Sequence, residues 1–162
     1  MGTTSLFHPL GRLAFLALAL EIEDLALSLC QFAPVRERCW LSISDNRRCK
    51  AIDLFKLRYK HEPIQKRDID RLIGCTNLGD KASMIWKQQL ITPATRAEVL
   101  GSFRKLREIR DQCAHPGADG TLLAKEELAH FVSSANRMRS SLRESMQIKG
   151  ISLVRREKIE FF

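Results

Sequence analysis

Apolar positions recur at helical spacing along almost the whole chain, and the breaks between the runs divide it into helices. The first run predicts a long, mostly apolar helix from about Pro9 to Phe32, closed by Pro34, with its charge gathered at Glu21, Glu23 and Asp24. Ser44 and Asp45 can each cap a second helix, in which Ala51, Leu54, Phe55 and Arg58 follow at helical spacing until His61-Glu62-Pro63 stops it. A short helix over about Lys66–Ile73 turns Ile69, Leu72 and Ile73 inward, and Gly74 through Gly79 reads as a turn. A further short helix, about Lys81–Leu90, is anchored by Ile85 and Trp86. Thr95-Arg96-Ala97-Glu98 has the form of a capping box and opens a helix that runs to about Ala114. After the loop Pro116–Gly120, a helix from about Lys125 to Gln147 carries the clearest amphipathic stripe in the chain: Leu128, Phe131, Val132, Ala135, Met138 and Leu142. Gly150 ends it.

The expected architecture is an all-α, up-and-down bundle of about five to six helices, long at both ends and shorter between. Residues 1–150 read as one helical domain, and residues 151–162, "ISLVRREKIEFF", as a C-terminal tail, either a short strand or ordered coil. The longest apolar run, Leu13–Leu20, is far short of a bilayer span. The acidic residues after it stand where a signal peptide would offer small residues for cleavage, so a buried helix in a cytoplasmic protein is expected, with no membrane partner.

Charge changes this picture more than composition does. The formal net charge of +8 is uneven: residues 1–35 carry one arginine against three acidic residues, whereas residues 36–71 carry eleven cations against six. Residues from 121 onward carry eight against five. Such a field favours a polyanionic partner without demanding one. The five cysteines, Cys30, Cys39, Cys49, Cys75 and Cys113, form no Cys-x-x-Cys pair and no metal-like spacing with histidine. Reduced, mostly buried thiols are expected, and neither a metal nor a cofactor. His8, His61 and His130 are isolated, and Trp40 and Trp86 read as core packing.

One residue breaks the pattern. On a wheel of about 100° per residue, the helix after Thr95 places Val99, Phe103, Leu106, Cys113 and Ala114 on one stripe, and Arg110 in its middle. Arg104 and Arg107 fall outside it. A guanidinium on an apolar stripe needs an anionic partner or an opening to solvent. His115, before Pro116, stands where the helix breaks, so its imidazole is free to swing toward Arg110. Two readings follow: an Arg and a His converging at the edge of a groove, or a buried arginine paired with Glu21 or Glu23 beside a capping histidine.

The stretch Arg110-Asp111-Gln112-Cys113-Ala114-His115 resembles the Arg-x(4–6)-His signature of the HEPN superfamily, all-α domains found in many prokaryotic defence and toxin proteins. The acidic residue after the arginine, the turn after the histidine and the acidic-centred first helix agree with that resemblance. Gly117 stands where the toxin branch paired with small nucleotidyltransferases has a tyrosine, which speaks against that branch.

The resemblance implies a metal-independent endoribonuclease that works as a homodimer, with both motifs facing one cleft. The RNA 2′-OH would attack the adjacent phosphate, with His115 as general acid/base. Arg110 would be the phosphate clamp and Asp111 would orient one of them. The expected partners are RNA, a second copy, and a protein partner such as an antitoxin. The expected role is that of a toxin or phage-defence effector. The alternative is a non-catalytic HEPN-like module for dimerisation or partner binding. If Arg110 is catalytic in an open cleft, Arg110→Leu is expected to leave the melting temperature near wild type.

Overall fold

The computed structural model describes residues 9–60, 63–91, 101, 103, 105–110 and 125–151. All regular structure in them is helical, as expected of an all-α bundle. In chain order the helices are α1 (Pro9–Cys30), α2 (Arg36–Ser42), α3 (Asp45–Tyr59), a 3-10 turn (Lys66–Asp68), α4 (Ile69–Gly74), α5 (Leu78–Lys87) and α6 (Lys125–Lys149). Residues 105–110 are also helical. The Thr95 capping box, the loop 116–120 and residues 152–162 of the tail lie outside the described residues.

α1 is the central helix, packed chiefly against α6 and α5. Ile22, Ala26 and Leu29 are fully buried and recur at helical spacing on its inner face. The helix ends at Cys30, before Phe32, and the chain turns through Gln31–Val35, with Val35 and Arg36 donating their backbone N–H groups to the Phe32 carbonyl. Gln31 Nε2 donates to the Asp70 carbonyl at 2.6 Å, fastening this corner to α4.

α2 was not expected. Its seven residues contain only two buried side chains, Cys39 and Trp40, and Val35 offers no side-chain cap, so neither periodicity nor capping announces it. It is held in place from its far end. Arg48 NH1 donates to the carbonyls of Leu41 and Ile43, at 3.0 and 2.7 Å, closing the α2–α3 corner. Of the two candidate caps for α3, Ser44 is the one used: its hydroxyl accepts from the Arg47 backbone. Ala51 and Phe55 face the core, while Lys60 ends the helix at φ 50°, a left-handed conformation.

The turn expected over Gly74–Gly79 is shorter, and α5 begins three residues earlier than expected. Asn77 and Asp80 form a reciprocal capping box: the Asp80 backbone donates to Asn77 Oδ1 at 2.7 Å, and the Asn77 backbone to Asp80 Oδ2 at 3.2 Å. That start sets the register. Met84 and Ile85 are buried, but Trp86 is 48% exposed, on the face shared with Gly79 and Ser83 rather than in the core. Trp40, in contrast, is buried.

The stripe of α6 is confirmed where it is described: Ala135, Met138 and Leu142 are buried, and Val132 is half-buried. The helix closes in a Schellman turn, with Gly150 at φ 65° and the Ile151 N–H bonded to the Met146 carbonyl at 2.9 Å. No helix among the described residues is long and apolar enough to cross a membrane.

Candidate active site

The helical residues 105–110 carry the arginine that the wheel places among apolar neighbours. Phe103, Leu106 and Ile109 are each almost fully buried, whereas Lys105, Arg107 and Glu108 are exposed. Arg110 points to the buried side with Phe103 and Leu106, yet 26% of its side chain stays exposed. NH1 of its guanidinium forms an ion pair with Oε1 of Glu23, whose side chain is only 12% exposed. Of the two carboxylates expected as partners in the structural reading, Glu23 is the one engaged.

Glu21 is taken by other arginines. Arg143 and Arg139, one turn apart on α6, both reach it, the latter at 3.4 Å. Two residues along a helix rotate by about 200°, so Glu21 and Glu23 stand on opposite shoulders of α1. One shoulder holds α6 and the other holds the motif segment. Between them, away from the core, runs an outer strip of Leu13, Ala17 and Leu20 at i, i+4 and i+7, with Leu13 63% and Leu20 45% exposed. Arg110 therefore sits on a carboxylate tether at a shoulder of α1 that borders the exposed apolar strip, in line with the buried Phe103 and Leu106. A guanidinium so held has its fork oriented and its charge partly offset.

Asp111, His115, Pro116 and Gly117 lie outside the described residues, as do His8, His61 and Cys113. The side chain of His130 is likewise outside them. Arg139 and Arg143 were not singled out by the sequence. Their only signal is the spacing of four, which puts both on one face of α6, and on a polar face this reads as solvated charge.

A second cluster lies at the α1–α2 corner. Cys30 and Cys39 are both fully buried. Cys30 Sγ lies 3.8 Å from the carbonyl of Lys81, itself buried with its Nζ donating to the Thr76 carbonyl at 2.6 Å. The influence of Cys39, with burial, pushes the Cys30 thiol well above its ordinary pKa, while Cys30 in turn pulls Cys39 down. Cys75 is buried too, and Cys49 is exposed, so the expectation of mostly buried thiols holds among the described cysteines.

Comparison with protein-family models, with curated proteins and with solved structures finds no match in any of the three.

Proposed function

We propose that the chain is a metal-independent endoribonuclease of HEPN type, acting on RNA as a homodimer in the cytoplasm, in a toxin or phage-defence role. The observation that carries the reading is Arg110: a charged head on a stripe of buried side chains, still a quarter exposed and oriented by Glu23. In this reading Arg110 binds the scissile phosphate through the donors of its planar fork and offsets the charge that grows on the phosphate oxygens. His115 takes the proton from the 2′-OH and returns one to the leaving 5′-oxygen. Asp111 orients one of the two. The outer strip of α1 supports the dimer, because a two-fold contact along Leu13, Ala17 and Leu20 brings two copies of Arg110 to the same edge.

The Glu23 ion pair favours a second reading, a non-catalytic HEPN-like module in which Arg110 ties the motif segment to α1 and the domain serves dimerisation or a protein partner such as an antitoxin. Incubation with labelled single-stranded RNA separates the two. The ribonuclease reading expects cleavage that survives EDTA, leaves a 2′,3′-cyclic phosphate and disappears in His115→Ala. Loss of activity on chelation, or equal cleavage by His115→Ala, refutes it, and an intact RNA in every lane leaves the second reading.

A further inference from the structure

Five of the eleven cations of residues 36–71 fall along a band of adjoining elements: α2, the 3-10 turn, α4 and the end of α3. Lys66, in the 3-10 turn, reaches Glu37 in the first turn of α2 at 3.5 Å, which sets Arg36 and the exposed Arg67 beside each other's elements. From the same turn α4 leads to Arg71, whose guanidinium lies 5.0 Å from the centre of the Tyr59 ring at the end of α3, and Lys60 is the next residue. Tyr59 is backed in turn by the Phe55 ring, with centroids 4.8 Å apart. The band thus carries Arg36, Lys60, Lys66, Arg67 and Arg71, all exposed.

Of the acidic residues on these elements, Asp68 and Asp70 turn to the backbone at helix starts, while Asp53 is exposed in mid-α3. Asp68 is buried, with its carboxylate accepting from the Gln65 backbone at 2.8 Å, and the Asp70 carboxylate accepts from the Arg71 backbone at 2.9 Å. Glu37 meets Lys66 of the band. Among the described residues Arg36, Lys60 and Arg67 form no ion pair or side-chain hydrogen bond. Asp68 and Asp70 are spent on starting helices, and Arg36, Lys60 and Arg67 stand in solvent.

We infer that this band, from α2 through the 3-10 turn to the end of α3, is a docking surface for single-stranded RNA, separate from Arg110. Spaced, exposed cations match a phosphate backbone, and a guanidinium laid on an aromatic ring is a planar surface against which an unpaired base stacks. The inference rests on the ribonuclease reading for the identity of the polyanion, but it concerns binding and not cleavage.

The test is fluorescence anisotropy with a short, labelled, 2′-O-methyl single-stranded RNA, titrated at several salt concentrations. That probe lacks the 2′-OH nucleophile, so binding is read with no cleavage. Lys60→Gln/Arg67→Gln removes two cations that hold nothing inside the protein, and its melting temperature serves as the folding check. Arg107→Gln/Lys149→Gln removes the same charge from the motif segment and α6. The first variant is expected to weaken binding about tenfold and to flatten the salt slope by about 1.4, or ~0.7 per lost phosphate contact. The second is expected to change little. Equal losses in the two variants would reduce the effect to net charge and overturn the assignment, as would a wild-type protein that does not bind. Displacement of the probe by polyglutamate as readily as by unlabelled RNA would make the band a surface for an acidic protein instead. Unchanged binding in the Lys60/Arg67 variant, alongside persistent cleavage, would sink the band and leave the ribonuclease reading standing. Binding without cleavage would do the reverse.

Discussion

Arg110, Arg139 and Arg143 each end on a carboxylate of α1, whereas Arg36, Lys60 and Arg67 are exposed and meet no carboxylate among the described residues. The two regions use the same kinds of side chain for different ends. Around α1, cations replace apolar contacts at the edge of the core: Glu21 docks α6 and Glu23 docks the motif segment. Removing one partner there leaves a partly desolvated charge behind. On the α2–α3–α4 side the helices are already closed by Ser44, Gln65 and Asn77 and by the carboxylates at their starts. Arg36, Lys60 and Arg67 carry none of the packing there, unlike Arg48 at the α2–α3 corner, so their removal costs the fold little and their presence is informative about partners. Position relative to a carboxylate, more than charge itself, separates a structural arginine from one available to a ligand.

The largest effect that bears on this comparison comes from Arg110→Leu. The wheel alone led to the expectation that leucine would extend the apolar stripe at no cost. The Glu23 pair alters that expectation, because leucine leaves a carboxylate that is 12% exposed without its guanidinium. An exposed pair contributes up to about 1 kcal/mol and breaking a buried one costs about 3–5 kcal/mol, so this intermediate pair should cost about 2 kcal/mol. For a chain of this size that is a fall of roughly 4–8 °C in melting temperature. Arg110→Leu/Glu23→Gln should recover most of the loss. In the ribonuclease reading neither variant cleaves RNA, and Arg110→Lys loses most activity because an ammonium lacks the bidentate fork. Recovery of both stability and cleavage in the double variant would make the arginine purely structural.

Glu21→Gln should have a smaller effect, and one that depends on salt. It leaves Arg139 and Arg143 facing each other without their shared anion, but both are more exposed than Arg110, at 34% and 56%. The expected loss is about 1 kcal/mol at low ionic strength, shrinking as salt screens the two arginines. Thermal melts of wild type and variant across a salt series measure it. A salt-independent loss as large as that of Arg110→Leu would erase the difference between the two shoulders of α1.

How much of this was legible in the sequence differs from element to element. The stripe of α6 was readable because 25 residues repeat one pattern, and the burial of Phe103 and Leu106 beside Arg110 followed from the same geometry. α2 was not readable, since seven residues give a period no room to show. The early start of α5 was missed because its box is built from Asn77 and Asp80 rather than the Thr-x-x-Glu form found at Thr95. At the site, a carboxylate partner for Arg110 was foreseeable but the choice between Glu21 and Glu23 was not. Those two lie on opposite shoulders of one helix, and only the docking of α6 against Glu21 decides which remains. The influence of Cys30 and Cys39 on each other likewise arises from the sharp corner between α1 and α2, which no spacing rule announces.

The smallest expected effect sharpens the comparison most, because it should move stability and binding in opposite directions. Lys60 closes α3 at φ 50° and ψ 33°, a left-handed conformation that a side chain bearing a Cβ adopts at a cost and glycine adopts readily. Its N–H still caps the Lys56 carbonyl, a bond that glycine keeps. Lys60→Gly should therefore stabilise the protein, by up to about 1 kcal/mol, with the greater flexibility of glycine in the unfolded chain offsetting part of the gain. The melting temperature should rise by roughly 2–4 °C. The same substitution removes one cation from the band, so the salt slope of RNA binding should flatten by about 0.7. A stabilised variant that binds RNA more weakly is the signature of a cation placed for a partner. Were Lys60→Gly to lose stability, the lysine side chain would belong to the fold, and the line between the two regions would have to be redrawn.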